Sequence, residues 1–187
     1  DLVDQGFGMY YGDKNMNNVG VYYIVLSDAI CNRDGYGTPY LDSEGDMLVL
    51  EFNSALQPED APVMIPEGEY VISATKGSTP SIDIDASYLK KLVGNTQYHY
   101  SLVSGSVNVM KTSSGDYDII TKDLKVERAG EVFDAQYSYS GPLKMDEWSK
   151  IAADIQGIDS DIINMPFTDI DAVYYGNLFG YGTGNYV

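Results

Sequence analysis

Between residues 97 and 139 the chain offers four segments, Gln97–Val103, Ser106–Lys111, Tyr117–Glu127 and Glu131–Tyr139, separated by the turn pairs Ser104-Gly105, Ser114-Gly115 and Ala129-Gly130. Val107 and Val109, and then Phe133, Ala135, Tyr137 and Tyr139, recur at period two. That spacing gives each segment one buried and one wetter face. Strands joined by such short turns pair with their neighbours in sequence, so the region predicts an antiparallel meander.

The first half reads the same way. Gly8–Tyr11, stopped by Gly12-Asp13, and Val21–Leu26 make a hairpin around the polar stretch Asn15–Asn18. Met47–Phe52 is nearly continuous in apolar character, as expected of a strand covered on both faces. Glu69–Ala74 follows the proline-led turn Pro66-Glu67-Gly68, and Ala86–Val93 reads as either a helical turn or a bent strand. Met145–Ile155 predicts a short helix, with Asp146 as N-cap, Trp148, Ile151, Ala152 and Ile155 on one buried face and Gly157 at its end. The expected fold is all-β: an antiparallel meander of about eight strands, closed into a barrel or flattened into a two-sheet sandwich, with one short helix.

Composition narrows the function. With 11 basic against 28 acidic residues the 187-residue chain carries a formal charge of −17, which excludes a nucleic-acid binder. Its length allows one domain, or one plus a fragment. The single cysteine, Cys31, excludes an internal disulfide framework. There is no apolar run of the ~20 residues that a membrane helix needs, and no basic-then-apolar start. Because the sequence opens at Asp1, an upstream targeting segment is expected to have been removed. Aromatic usage is strongly biased, with 17 Tyr, 5 Phe and 1 Trp among the residues. Tyrosine suits half-buried strand positions where the ring packs and the hydroxyl stays wet.

Tyr10-Tyr11-Gly12-Asp13 recurs as Tyr174-Tyr175-Gly176-Asn177, and Gly20 and Tyr22 meet Gly184 and Tyr186 at the same offset. The expected organisation is a β-domain over 1–143, a helix and connector over 144–170, and over 171–187 the start of a second repeat or a returning edge hairpin. Residues 172–187, strand-like without the rest of their sheet, are expected to pair by strand addition. The Tyr10–Asp13 start, the strand Tyr22–Asp28, and the stretches Ile65–Tyr70, Ser104–Val109 and Tyr137–Gly141 resemble the repeated β-domains of secreted Bacteroides-type surface lipoproteins over most of residues 6–143. No catalytic residues come with that resemblance. It implies an exported protein, at the outer surface or in the periplasm, lipid-anchored upstream of residue 1, although the chain carries no lipobox cysteine.

Residues able to do chemistry are sparse. His99 is the only histidine, on a predicted strand without a Gly-x-Ser-x-Gly elbow, and one His and one Cys cannot fill a zinc site without carboxylates. The Asp28–Asp46 loop, with Asp28, Asp34, Asp42, Glu44 and Asp46, holds the hard oxygens that calcium takes, but in no EF-hand spacing. The pairs Asp83/Asp85 and Asp169/Asp171 each fall on one strand face, where solvent is the default partner. Glycoside hydrolysis needs two facing carboxylates, which sequence alone does not place. Gly180–Gly184 imitates a nucleotide loop but lacks the following helix.

What remains is recognition. The sequence predicts a non-catalytic module that needs no cofactor and binds glycan or a surface protein through Tyr-rich loops holding Tyr36, Tyr40 and Tyr181. A structural spacer or adhesin repeat is the alternative, as is a small-molecule carrier with a cavity inside the barrel.

Overall fold

A computed structural model describes residues 2–149 apart from Asp4, Gly35, Tyr36, Glu59 and Lys76. The strands run β1 (Leu2–Val3), β2 (Gln5–Gly12), β3 (Gly20–Ser27), β4 (Cys31–Arg33), β5 (Pro39–Leu41), β6 (Gly45–Ser54) and β7 (Gly68–Ser73). They continue as β8 (Ser81–Asp83), β9 (Tyr88–Val93), β10 (Thr96–Lys111), β11 (Tyr117–Arg128), β12 (Glu131–Ala135), β13 (Ser138–Gly141) and β14 (Lys144–Glu147). The expected all-β meander is present, and it closes into a barrel.

Closure follows from the pairings. β3 lies between β2 and β6, and β6 is joined to β10 through β9 at one end and through β8 and β7 at the other. β10 pairs with β11, and β11 with β13 and β12. The N-terminal run then completes the ring in parallel register, Leu2 and Val3 beside Ser138 and Tyr139, and Phe7 to Tyr10 beside Lys144 to Glu147.

Alternation along the strands sorts side chains into two cores. Tyr22, Ile24 and Leu26 of β3 and Leu48, Leu50 and Phe52 of β6 point into the barrel, where Tyr70, Ile82, Leu89, Leu102, Val107 and Val109 join them. Val25, Met47 and Val49 point outward and are covered by Ala29, between β3 and β4, and by Cys31 and Leu41 of the β4–β5 hairpin. β6 is thereby buried on both faces, as its unbroken apolar pattern requires. Truncating a fully buried ring such as Phe52 to Ala costs about 3–5 kcal/mol.

Four local readings change. Ser104-Gly105 is a bulge inside a single 16-residue strand, β10, where a turn was expected. Gly105 has φ +125°, and a Cβ there would stand 2.7 Å from the Leu124 Cα, so only glycine fits. Opposite it Asp123 has φ +49°. The paired kinks reset the alternation, so Leu102 and Val107 both face inward although their positions differ in parity. Glu131–Tyr139 divides into β12 and β13, because Tyr137 breaks away to exchange hydrogen bonds with Thr121. The Ala86–Val93 ambiguity resolves as strand β9. Finally, Lys144–Glu147 is strand, not helix: Asp146 pairs with Arg33 at 2.7 Å instead of capping, and the Trp148 amide donates to the Tyr10 carbonyl. Ladder bonds to β2 outweigh a weak helical period. Ser149 is helical, and the expected helix from residue 150 on, with the connector and second repeat beyond it, lies outside the described residues.

Interior tyrosines plug one end of the barrel. The Tyr22 hydroxyl donates to the Ala55 carbonyl at 2.6 Å and accepts from Gln57, whose amide N–H donates to the Tyr10 hydroxyl. Tyr70 reaches the Pro66 carbonyl at 2.7 Å. These bonds tie the 55–66 loop across the opening, so these hydroxyls are protein-bonded rather than wet. Burial raises the pKa of Tyr10, Tyr22, Tyr23, Tyr70, Tyr88, Tyr117, Tyr137 and Tyr139. A phenol so raised keeps its proton in the folded state while the unfolded chain releases it above about pH 10, so its contribution is intact below that pH and is lost above it. Denaturant melts should therefore show stability falling as pH rises past about 10, with most phenolate absorbance appearing only as the chain unfolds. Full phenol titration of the folded protein at its ordinary pKa would contradict this packing.

Candidate functional site

The outer face carries a line of rings that crosses the sheet. Trp148, just past β14, meets Tyr11 of β2 edge-on at 6.0 Å, and Tyr11 meets Tyr23 of β3 at 6.3 Å. The Tyr23 and Tyr88 hydroxyls are 3.2 Å apart, and Tyr88 of β9 stacks on His99 of β10 at 5.1 Å. Cross-strand register builds this line, since Met9 faces Tyr23 and Tyr88 faces Ser101, placing successive outward rings on adjacent strands. Tyr11 follows the inward-facing Tyr10 and so faces outward by simple alternation, at the register shift between Tyr10 and Gly12.

At the β2–β3 end the rings border a groove of about 170 Å³, lined by Tyr11, Lys14, Tyr23, Glu51, Gly37, Thr38 and Pro39. Its far wall is the tip of the β4–β5 hairpin. Trp148 lies against that tip, and a Cβ on Gly37 would stand 2.7 Å from the indole, so glycine permits the approach. The floor is polar. Glu51 of β6 is buried, pairs with Lys14 at 3.3 Å, and its amide donates to Ser87. Lys14 also lies 5.5 Å from the Tyr11 ring centre. Asn53, two residues on along the same face, is buried with neither side-chain amide atom hydrogen-bonded. Burial, and then the Glu51 charge, raise the Tyr11 pKa, so the groove presents neutral phenols. Such an arrangement can stack a planar or pyranose face and bond its hydroxyls at the edge, and among the described lining residues Glu51 is the one carboxylate.

Of the residues singled out from sequence, Tyr40 is on β5 with 41% of its surface exposed, one residue from the groove-lining Pro39. Tyr36 and Tyr181 lie outside the described residues. The acidic loop residues brace separate turns. Asp28 accepts the Asp46 amide at 2.6 Å, Asp34 the Thr38 amide, Asp42 the Asn32 side chain and Glu44 the Gly94 amide. Asp46 turns inward to Lys91 and Tyr137, each at 2.7 Å. Among the described residues no three His, Cys, Asp or Glu side chains group as a metal site. His99 is the exposed end of the ring line, its pKa lowered by desolvation and by Lys90. Cys31 is buried against the Met47 sulfur, and burial pushes its thiol up to about 11. Sequence reasoning missed Tyr11, Tyr23, Lys14, Glu51 and Trp148 as one site. The Tyr-Tyr doublets at 10–11 and 22–23 were the available signal, one ring of each facing in and one out.

No protein-family model, curated protein or solved structure matches this chain.

The Lys14–Glu51 pair should behave as a half-buried ion pair. A double-mutant cycle with Lys14→Ala and Glu51→Gln is expected to give a coupling of about 1 kcal/mol in chemical denaturation, shrinking in high salt. A coupling of zero at low salt would mean that the pair does not form.

Proposed function

We propose that this chain is a non-catalytic recognition module of an exported cell-surface lipoprotein, and that it binds a neutral glycan in the outer groove. The supporting observation is the ring line ending at Lys14 and Glu51. Rings give sugar faces an apolar surface at small entropic cost, while a buried carboxylate and an ammonium beside them bond to hydroxyls. A net charge of −17 repels uronic and sulfated sugars, which favours uncharged chains. Export and lipid anchoring rest on the family resemblance. Among the described residues no helix is long and apolar enough to cross a membrane.

A glycan array followed by titration of the best ligand tests this. Tyr11→Ala and Trp148→Ala are each expected to weaken binding about tenfold, equivalent to about 1.4 kcal/mol, and Glu51→Gln by a similar factor. Tyr98→Ala, on the inward face of β10, should leave it unchanged. An array blank for neutral glycans, or binding untouched by the groove variants, would overturn the proposal.

A further inference from the structure

Among the described residues, the end of the barrel opposite the tyrosine-tied loop holds a cavity of about 310 Å³. Leu89 and Val126, both buried core residues, form its floor. Tyr100 and Phe133 form a wall, edge to face at 5.9 Å, and Arg128 lies over the Tyr98 and Tyr100 rings. At the polar side Lys91 and Tyr137 both donate to the same Asp46 oxygen at 2.7 Å. The barrel interior beyond is filled by the apolar core, so this is a site at the mouth rather than a hollow barrel.

From these features we infer a second ligand site, independent of the outer groove, for a neutral one- or two-ring aromatic compound bearing a carbonyl or hydroxyl. Size sets the ring count: an apolar cavity of about 150 Å³ takes up benzene, and this one has roughly twice that volume. Rings and aliphatic side chains on one side, with Lys91, Asp134, Gln136 and Tyr137 on the other, select a flat ligand that has an apolar ring face and a polar edge. Charge sets neutrality. Lys91 is balanced by Asp46, Asp134 at the rim by Lys125 at 2.6 Å, and Arg128, over the rings, stands across the β11–β12 ladder from Glu131, while the whole chain carries −17, so a ligand anion gains little net attraction. An ammonium has three N–H donors and Lys91 spends one on Asp46, so it can also meet a ligand oxygen at the cavity edge.

The probe is prodan, a neutral naphthyl ketone whose emission shifts blue in apolar surroundings, displaced in turn by 2-acetylnaphthalene, naphthalene and naphthalene-2-carboxylate. Saturable micromolar uptake is expected, with the ketone displacing about tenfold better than naphthalene or the carboxylate. Ala135→Trp, which fills the mouth from its rim, should abolish uptake, and Phe133→Ala should weaken it severalfold. Lys91→Met should remove the preference for the ketone. Because that variant leaves Asp46 short of a partner, its far-ultraviolet circular dichroism is recorded alongside, and Ala135→Trp and Phe133→Ala carry the test if it unfolds. Absence of saturable uptake, unchanged uptake in Ala135→Trp, or equal displacement by ketone and hydrocarbon would overturn the inference, as would a carboxylate that displaces best.

Discussion

Coverage of β6 on both faces is the constraint from which the rest of this architecture follows. A strand reading Met47-Leu48-Val49-Leu50-Glu51-Phe52 has no face to give to water. Folding the sheet into a barrel buries Leu48, Leu50 and Phe52, and folding the β4–β5 hairpin back across the sheet buries Met47 and Val49. The hairpin stops short of Glu51, and there the outer face changes from apolar to polar. The groove is the step where apolar cover ends and Lys14 and Ser87 meet the buried Glu51 instead. The same alternation sends Asp46 inward to the barrel mouth, so both ends of β6 carry a carboxylate, on opposite sides of the sheet.

Closure solves the edge problem. A long open meander would leave unpaired strands at both sides, and the parallel pairing of the N-terminal run with β13 and β14 removes them. That pairing joins segments far apart in sequence, and no local pattern announces it. It also explains why Lys144–Glu147 becomes strand where sequence period suggested helix. Local propensity is worth tenths of a kilocalorie per residue, and a paired edge outweighs it. What was legible was local: the meander over 97–139, the β2–β3 hairpin and the two-faced burial of β6 all follow from period and turn chemistry. What was not legible was positional. The Ser104-Gly105 pair has turn composition, but a bulge uses the same residue, and only pairing to β9, β7 and β11 distinguishes them.

Tyrosine composition illustrates the same limit for the site. The bias toward Tyr over Phe was visible, and half-wet strand rings were the natural reading. In the fold the tyrosines divide by face. Tyr10, Tyr22 and Tyr70 are interior, their hydroxyls tying the 55–66 loop, while Tyr11, Tyr23 and Tyr88 form the outer row. Adjacent residues in a doublet thus take opposite roles, one structural and one available for recognition. Sequence directed attention to the tip of the β4–β5 hairpin, which does wall the groove, but the rings facing that tip come from strands.

Amide hydrogen exchange, resolved by residue, tests the doubly covered strand most directly. The account predicts that Val49 to Phe52 exchange only through global unfolding and are the slowest class in the chain, while Glu131 to Ala135 of β12, exposed along most of its length, exchange orders of magnitude faster. If β6 exchanged as fast as β12, the strand would be open to water on one face, and neither the barrel nor the hairpin cover described here would hold.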